Sequence, residues 1–157
     1  MKAQGEIRKK MRIKHVSPKQ ILIPDTRVTS VFDSELLDLF KQTIKEMGIL
    51  QPILCAEDDG KLWLIDGLHR LEEAKIQNME SIPVAVIEAG LDEVLIQNLV
   101  LNKLRGKTKA TEMARVIQEL YEKYKISIDE ICRRTGLRRD YVEKYLSISK
   151  LSPVVLD

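Results

Sequence analysis

Every β-favouring segment of this chain lies before Gly90, and the longer periodic segments after it have helical spacing. The segments of the first kind are RIKHVSPKQILIP, QPILCAEDDGKLWLID and IPVAVIE. Strands gathered in one part of a chain and followed by helices alone are typical of an α+β domain joined to an all-α module. We therefore predict an α+β domain over residues 1–106 and a helical module over residues 107–157, with the boundary in RGKTKAT.

The composition excludes a membrane-embedded protein. Of the 157 residues, 44% are hydrophobic and 32% are charged, and no apolar run approaches the ~20 residues that a bilayer helix needs. The N-terminal MKAQGEIRKKMRIK is basic but lacks the apolar stretch of a secretory signal, so we expect a cytoplasmic protein without a membrane partner.

Cys55 and Cys132 have no metal-ligand spacing, which predicts two reduced thiols and no metal site.

The distribution of charge is more informative than the net charge of +2. Residues 1–14 carry six basic and one acidic side chain. Residues 15–102 carry seven basic and fifteen acidic side chains, and residues 103–144 carry twelve basic and seven acidic ones. An acidic middle with basic ends is expected if one part of a protein grips a polyanion. A solvated charged surface is the alternative.

Sequence periodicity predicts the individual elements. A strand, turn and short strand are expected around Ser17-Pro18, and a hairpin is expected with its turn at Asp59-Gly60. The helix over residues 34–47 is expected to be capped by Asp33 or Ser34 and closed by Gly48. The remaining predicted elements are a short helix at 69–79, a strand at 82–88, and helices at 92–104 and 109–124.

The segment IDGLHRLEEA places Gly67 and Arg70 where a strand turns into a helix. Glycine permits a sharp turn, a helix start presents amide hydrogens at a positive dipole end, and arginine adds a fork of donors. This combination predicts a seat for a phosphate. A tight turn with a solvated His69-Arg70 pair explains the same spacing.

The segment SIDEICRRTGLRRDYVEKYLSI has the pattern of a helix-turn-helix. Ser127 and Glu130 form a predicted capping box, and Gly136 is placed for a left-handed turn. In a DNA reader the start of the second helix would meet the major groove and the preceding residues would meet phosphates. The candidate base-reading residues are Arg138, Arg139, Tyr141 and Lys144, and the candidate phosphate contacts are Arg133, Arg134 and Thr135. An ordinary helical hairpin with a charged surface is the alternative.

Three segments in order, DLFKQTIKEMGILQPILC, LIDGLHRLEEAK with IPVAVI, and QNLVLNKLRG before the helix-turn-helix, resemble the ParB family of chromosome and plasmid partition proteins. The resemblance runs from about Ile21 to Leu151. It implies a ParB/sulfiredoxin-like α+β domain with a small mixed sheet, followed by an all-α helix-turn-helix module that binds DNA.

The resemblance also implies a nucleotide site. It places Gly48, Gln51 and Pro52 over a base, with a further contribution from Asn98. It implies that the turn residues Asp66, Gly67, His69 and Arg70 bind the phosphates. The implied cofactor is CTP or another nucleotide with magnesium. In the family this nucleotide closes the protein into a sliding clamp around DNA that carries a centromere-like site.

The implied partners are DNA, a second copy bound through the N-terminal domain or a missing C-terminal domain, and a partition ATPase. The implied location is the nucleoid or a plasmid in the cytoplasm. Partition proteins continue beyond the segment LSPVVLD that ends this chain, so a truncated or shortened relative is expected.

The chain departs from the family pattern at several positions. Leu68 and His69 stand where partition proteins usually carry Glu-Arg, Gln97 stands for a glutamate that supports the metal, and Leu101 stands for an arginine. Loss of a carboxylate removes a natural magnesium ligand, which leaves nucleotide triphosphate hydrolysis open.

Two alternatives to a DNA-binding partition protein stay open. The Asp-Gly-x-His-Arg turn is also similar to a phosphoryl-transfer branch of the superfamily, in which Asp66 or His69 would act as base or ligand. This alternative is a nucleotide-dependent enzyme, either a small-molecule kinase or a nuclease. The other alternative is a transcriptional regulator that reuses the architecture.

Overall fold

The computed structural model describes residues 10–29, 34–106 and 108–149. The strands are β1 (Arg12–Val16), β2 (Ile21–Leu22), β3 (Ile53–Asp58), β4 (Lys61–Asp66) and β5 (Ile82–Glu88). The helices are a 3₁₀ helix (Pro18–Gln20), α1 (Ser34–Met47), α2 (Leu68–Ile76), α3 (Leu91–Arg105), α4 (Ala110–Glu122), α5 (Ile128–Thr135) and α6 (Arg139–Ser149). No helix in these described ranges combines the length and apolar character needed to cross a membrane.

The strands form one mixed sheet in the order β1-β5-β3-β4-β2. β1 is antiparallel to β5 and β3 is antiparallel to β4, whereas β3 is parallel to β5 and β2 is parallel to β4. The β3–β4 hairpin turns at Asp59 and Gly60, whose φ angles of 52° and 75° are both positive, as in a type I′ turn. The predicted α+β class and small mixed sheet are confirmed.

The chain separates into two compact units, each with its own core. Among the described residues, the first unit holds residues up to Pro24 and those from 34 to Val94, and the second holds residues 25–29 and those from Leu95 onward. The division therefore falls within α3 rather than at residue 106, since the side chains of Leu95, Ile96 and Leu99 enter the core of the second unit. The assignment of separate functions to 1–106 and 107–157 stays a prediction.

The first core packs α2 against one face of the sheet. Leu71 and Ala74 of α2 are fully buried among alternate residues of the strands, as expected where side chains on a strand point to opposite faces. The strand residues of this core are Ile21, Ile53, Cys55, Leu64, Ile82, Val84 and Val86. This packing fixes the end of β4 and the start of α2.

Two helices of the first unit differ in how well they were predicted. α1 has the predicted bounds and ends at Gly48 (φ 77°), whose N–H donates to the Ile44 carbonyl at 2.8 Å. α2 ends before the predicted residue 79 because Asn78 takes a left-handed φ of 55° and Met79 N–H donates back to the Ala74 carbonyl at 3.0 Å. The expected Asp33 cap lies outside the described residues.

In the second unit, α5 and α6 are joined by the short turn 136–138. Gly136 is left-handed, as predicted, with φ 76°, and its N–H donates to the Cys132 carbonyl at 2.9 Å. The Ser127 hydroxyl accepts the Glu130 N–H at 3.1 Å, as half of the predicted capping box, while the Glu130 carboxylate pairs with Arg133. The core of this unit contains Val28, Leu95, Ile96, Leu99, Met113, Ala114, Val116, Ile117, Leu120, Ile126, Ile131, Val142, Tyr145 and Leu146.

Candidate functional site

The corner between β4 and α2 is formed by Gly67, which has φ 111° and stands directly before the first residue of the helix. No side chain caps α2 through this residue. The first amide groups of a helix have no partner within the helix and carry its positive dipole end. The corner therefore presents the kind of backbone donors that bind an anion.

Arg70 ties this corner to the loop before β3. Its Nη1 donates to the Gln51 carbonyl at 2.8 Å and to the Pro52 carbonyl at 3.0 Å, while its Nη2 lies 3.6 Å from Asp66 Oδ2. The Arg70 side chain is 18% exposed and that of Asp66 is 10% exposed, so the pair lies largely beneath the surface. The structure thus brings Gln51, Pro52, Asp66, Gly67 and Arg70 together.

Gly67 has little space for a side chain. A Cβ atom there would lie 3.2 Å from Arg70 Nη2 and 3.2 Å from Ile53 Cγ1. Glycine is needed here both for the positive φ and for the close approach of the arginine. The helix start and the guanidinium are consequently held side by side, which fits a phosphate group.

Two further nucleotide candidates are His69 and Gly48. His69 Nδ1 lies 4.0 Å from Glu72 Oε1, one turn along α2. Gly48 ends α1 and stands three residues before Gln51. Within the ranges that the structure describes, no group of three or more His, Cys, Asp or Glu side chains is placed to hold a metal ion. The backbone and guanidinium donors of the corner suit a phosphate, whereas magnesium is bound by oxygen ligands.

Asn98 lies in the second unit, whereas the other nucleotide candidates lie in the first. It is 1% exposed, and its side-chain amide is hydrogen-bonded to Val28. Its Oδ1 accepts the Val28 N–H at 2.6 Å and its Nδ2 donates to the Val28 carbonyl at 3.0 Å. The amide therefore has a structural task, which the sequence did not indicate because the partner is distant along the chain.

The predicted base-reading arginines, Arg138 and Arg139, are exposed and paired with carboxylates. Arg138 donates to Asp140 through Nε at 3.1 Å and Nη2 at 2.8 Å. Arg139 Nε donates to Glu143 Oε1 at 3.0 Å, and its Nη1 pairs with Asp129. The Arg138 hydrogen bonds hold the pKa of Asp140 below its ordinary value, so this carboxylate is charged at neutral pH.

Arg133 at the end of α5 is paired in the same way. Its Nε donates to Glu130 Oε1 at 2.9 Å, and this contact lowers the pKa of Glu130. Arg134 is half-buried. The Thr135 hydroxyl donates to the Ile131 carbonyl at 2.6 Å and accepts the Leu137 N–H at 3.2 Å, so it stabilises the turn.

Tyr141 is flanked by two lysines. Lys144 Nζ lies 5.8 Å from the centroid of the Tyr141 ring, and Lys103 Nζ of α3 lies 5.0 Å from it. Both distances suit cation–π contacts. Sequence analysis selected Lys144 from its helical spacing but missed Lys103, because only the folded chain brings α3 beside α6.

The fold and these features define a class: a mixed-sheet unit with a glycine–arginine corner at a helix start, linked to a helical unit with an exposed, arginine-rich helix pair. The model of the ParB N-terminal domain family matches residues 2–103. The chain belongs to the ParB family, as the sequence motifs predicted.

Two curated relatives match most of this chain. A probable chromosome-partitioning protein ParB of Helicobacter pylori is 27% identical over 97% of this chain and 52% of its own length. A nucleoid occlusion protein of Halalkalibacterium halodurans is 27% identical over 90% of this chain and 50% of its own length. The chain thus spans about half the length of these relatives.

Two solved structures share the fold. C-terminally truncated ParB of Caulobacter crescentus, complexed to the centromeric parS site, has a TM-score of 0.56 and 21% identity, covering 90% of this chain and 74% of that one. The same protein complexed with CTP-gamma-S has a TM-score of 0.52 and 22% identity, covering 91% and 81%. At these identities the likeness establishes the ParB fold.

Proposed function

We propose that this chain is the DNA-binding part of a chromosome or plasmid partition protein. The observation that carries the proposal is the exposed start of α6, where Arg138, Arg139 and Lys144 follow the left-handed turn at Gly136. In a helix-turn-helix the start of the second helix enters the major groove, and arginine bonds guanine through two parallel hydrogen bonds. Arg133 and Arg134 are the candidates for phosphate contacts.

We propose further that the corner at Gly67 takes the phosphates of a nucleotide, with CTP as the first candidate. The uncapped helix start and the Arg70 guanidinium supply its donors, and Gly48, Gln51 and Pro52 are candidates for the base. His69 is a candidate phosphate contact. The related Caulobacter protein has been crystallised with CTP-gamma-S, which supports this choice of nucleotide.

The nucleotide in this proposal acts as a switch on DNA binding, and magnesium would arrive with its phosphates. Self-association, a partition ATPase partner and a nucleoid- or plasmid-associated location belong to the same proposal. Asp66 is engaged by Arg70 and His69 lies beside Glu72, so we propose no hydrolytic or kinase reaction.

The test is a fluorescence-anisotropy titration of two duplexes, one carrying a centromere-like site and one scrambled, over a salt series with no nucleotide, CTP or ATP. We expect tighter binding to the site, with an affinity that falls linearly on logarithmic axes as salt rises. A CTP-dependent change in DNA affinity would support the switch. Equal affinity for both duplexes would overturn the DNA-binding proposal.

A variant pair locates the interface. Arg139→Ala is expected to weaken binding to the site by about 1–3 kcal/mol, the range for a bidentate base contact. Arg115→Ala removes an exposed arginine from α4 instead and is expected to leave the site preference unchanged. Equal losses from both variants would assign the effect to net charge and remove α6 from the proposed interface.

A further inference from the structure

The helix pair α5–α6 carries nearly balanced charge. Residues 127–149 contain five basic and four acidic side chains, a net charge of +1. Each of the four carboxylates pairs with an arginine: Asp129 and Glu143 with Arg139, Glu130 with Arg133, and Asp140 with Arg138. The surface proposed to meet a polyanion therefore neutralises much of its own charge.

Stability does not account for this arrangement. The side chains of Asp129, Asp140 and Glu143 are 85%, 66% and 53% exposed. Ion pairs in such open positions contribute little to folding, because water screens them and long side chains lose freedom. Their electrostatic effect on an approaching polyanion is the larger consequence.

Binding to any duplex, regardless of sequence, depends on guanidinium and ammonium groups that release counterions from phosphates. A carboxylate at hydrogen-bond distance offsets the charge of its arginine and repels a nearby phosphate. The edge of a guanine offers Arg138 or Arg139 two acceptors in place of the carboxylate oxygens, whereas a mismatched base edge does not. The carboxylates thus weaken incorrect binding more than correct binding.

We propose that Asp129, Asp140 and Glu143 are specificity-determining residues, which hold Arg138 and Arg139 in ion pairs that only a matching base edge replaces. This inference rests on the proposed DNA-binding function. It assigns the acidic side chains of the helix pair to the rejection of non-cognate duplex. Asp140 holds Arg138, and Arg139 is held on two sides, by Glu143 of its own helix and by Asp129 of α5.

The test uses Asp140→Asn, Glu143→Gln and Asp129→Asn, singly and combined, in the full chain. Each variant keeps the shape of the side chain and removes its charge. For each arginine released, affinity for a scrambled duplex at about 0.1 M salt is expected to rise on the order of tenfold, and the logarithmic salt slope is expected to steepen by about 0.9. Affinity for the site duplex is expected to rise less, so the preference for the site falls.

Glu80→Gln is the matched control, because it removes one exposed acidic charge from the first unit. It is expected to leave the site preference unchanged, and circular dichroism should show all variants folded. If the parent prefers its site, two outcomes overturn this inference alone. One is an unchanged site preference in the triple variant, and the other is a fall in site preference in the control as large as in the single variants. A parent protein without any site preference overturns the proposed function and this inference with it.

Discussion

Asn98 binds both backbone groups of Val28, although the two residues are far apart in the sequence. The Asn98 side-chain oxygen accepts the Val28 N–H at 2.6 Å, and its nitrogen donates to the Val28 carbonyl at 3.0 Å. Val28 is fully buried in the core of the second unit. The amide therefore makes the two backbone hydrogen bonds that a neighbouring strand would otherwise make, and it holds the segment 25–29 against α3 in that unit.

Replacing Asn98 by alanine is expected to lower the free energy of unfolding by about 2–4 kcal/mol, because a buried N–H and a buried carbonyl lose their partners together. Urea denaturation measures this change. Asn102→Ala, which removes a hydrogen bond of 2.8 Å to the Asn98 carbonyl, is the comparison and is expected to have a smaller effect.

The same variants separate a structural role for Asn98 from the nucleotide role that the family resemblance implies. A loss of nucleotide affinity in Asn98→Ala with unchanged stability would contradict the structural role. A loss of stability with unchanged affinity for the folded protein would leave the nucleotide site to the first unit.

Gly67 is expected to tolerate no side chain. Alanine there would adopt a positive φ and bring its Cβ to 3.2 Å from both Arg70 Nη2 and Ile53 Cγ1, so we expect a loss of about 2–3 kcal/mol in unfolding free energy. Gly60 also has a positive φ, but a Cβ there meets nothing within 4 Å. Gly60→Ala should therefore lose only about 1–2 kcal/mol. Equal losses in thermal denaturation would show that the close approach to Arg70 has no effect.

Arg70 is expected to be required for nucleotide binding. Arg70→Ala removes the guanidinium donors of the corner and should abolish the heat of CTP binding in a calorimetric titration. It should also lower stability by about 1–3 kcal/mol, since the guanidinium bonds two carbonyls, while the core around Leu71 keeps the domain folded. Arg70→Lys keeps the charge but not the planar fork, so intermediate affinity is expected.

The control for this prediction is Lys75→Ala, which removes an exposed cation from the other end of α2. Its affinity for CTP should equal that of the parent. If Arg70→Ala binds CTP, ATP and ADP as tightly as the parent does, the corner at Gly67 is not a phosphate site.

Local patterns predicted much of the fold because they depend on neighbouring residues. The Asp59-Gly60 turn, the bounds of α1 and the left-handed Gly136 follow from backbone preferences that act over a few positions. The pairing of Arg139 with Glu143 could also have been read from its i,i+4 spacing.

The contacts that sequence analysis missed join distant elements. Asp129 reaches Arg139 across the α5–α6 turn, and Lys103 of α3 reaches Tyr141 of α6. No spacing rule indicates such pairs, since they exist only after the helices have packed. For the same reason the unit boundary within α3 was not apparent from the polar linker that follows the helix.

The two thiols are expected to differ sharply in reactivity. Cys55 is fully buried in the sheet, and burial raises the pKa of its thiol to about 12, because a thiolate loses its hydration there. At about pH 8 only roughly one Cys55 in ten thousand would be ionised, and reagents react with the thiolate. Cys132 is half-buried.

A disulfide-exchange reagent should therefore titrate Cys132 quickly in the native protein, and Cys55 only as fast as the first unit opens. Cys132→Ser should remove the fast phase, and two fast thiols in the parent would show that Cys55 is accessible and that the first core is not closed around β3.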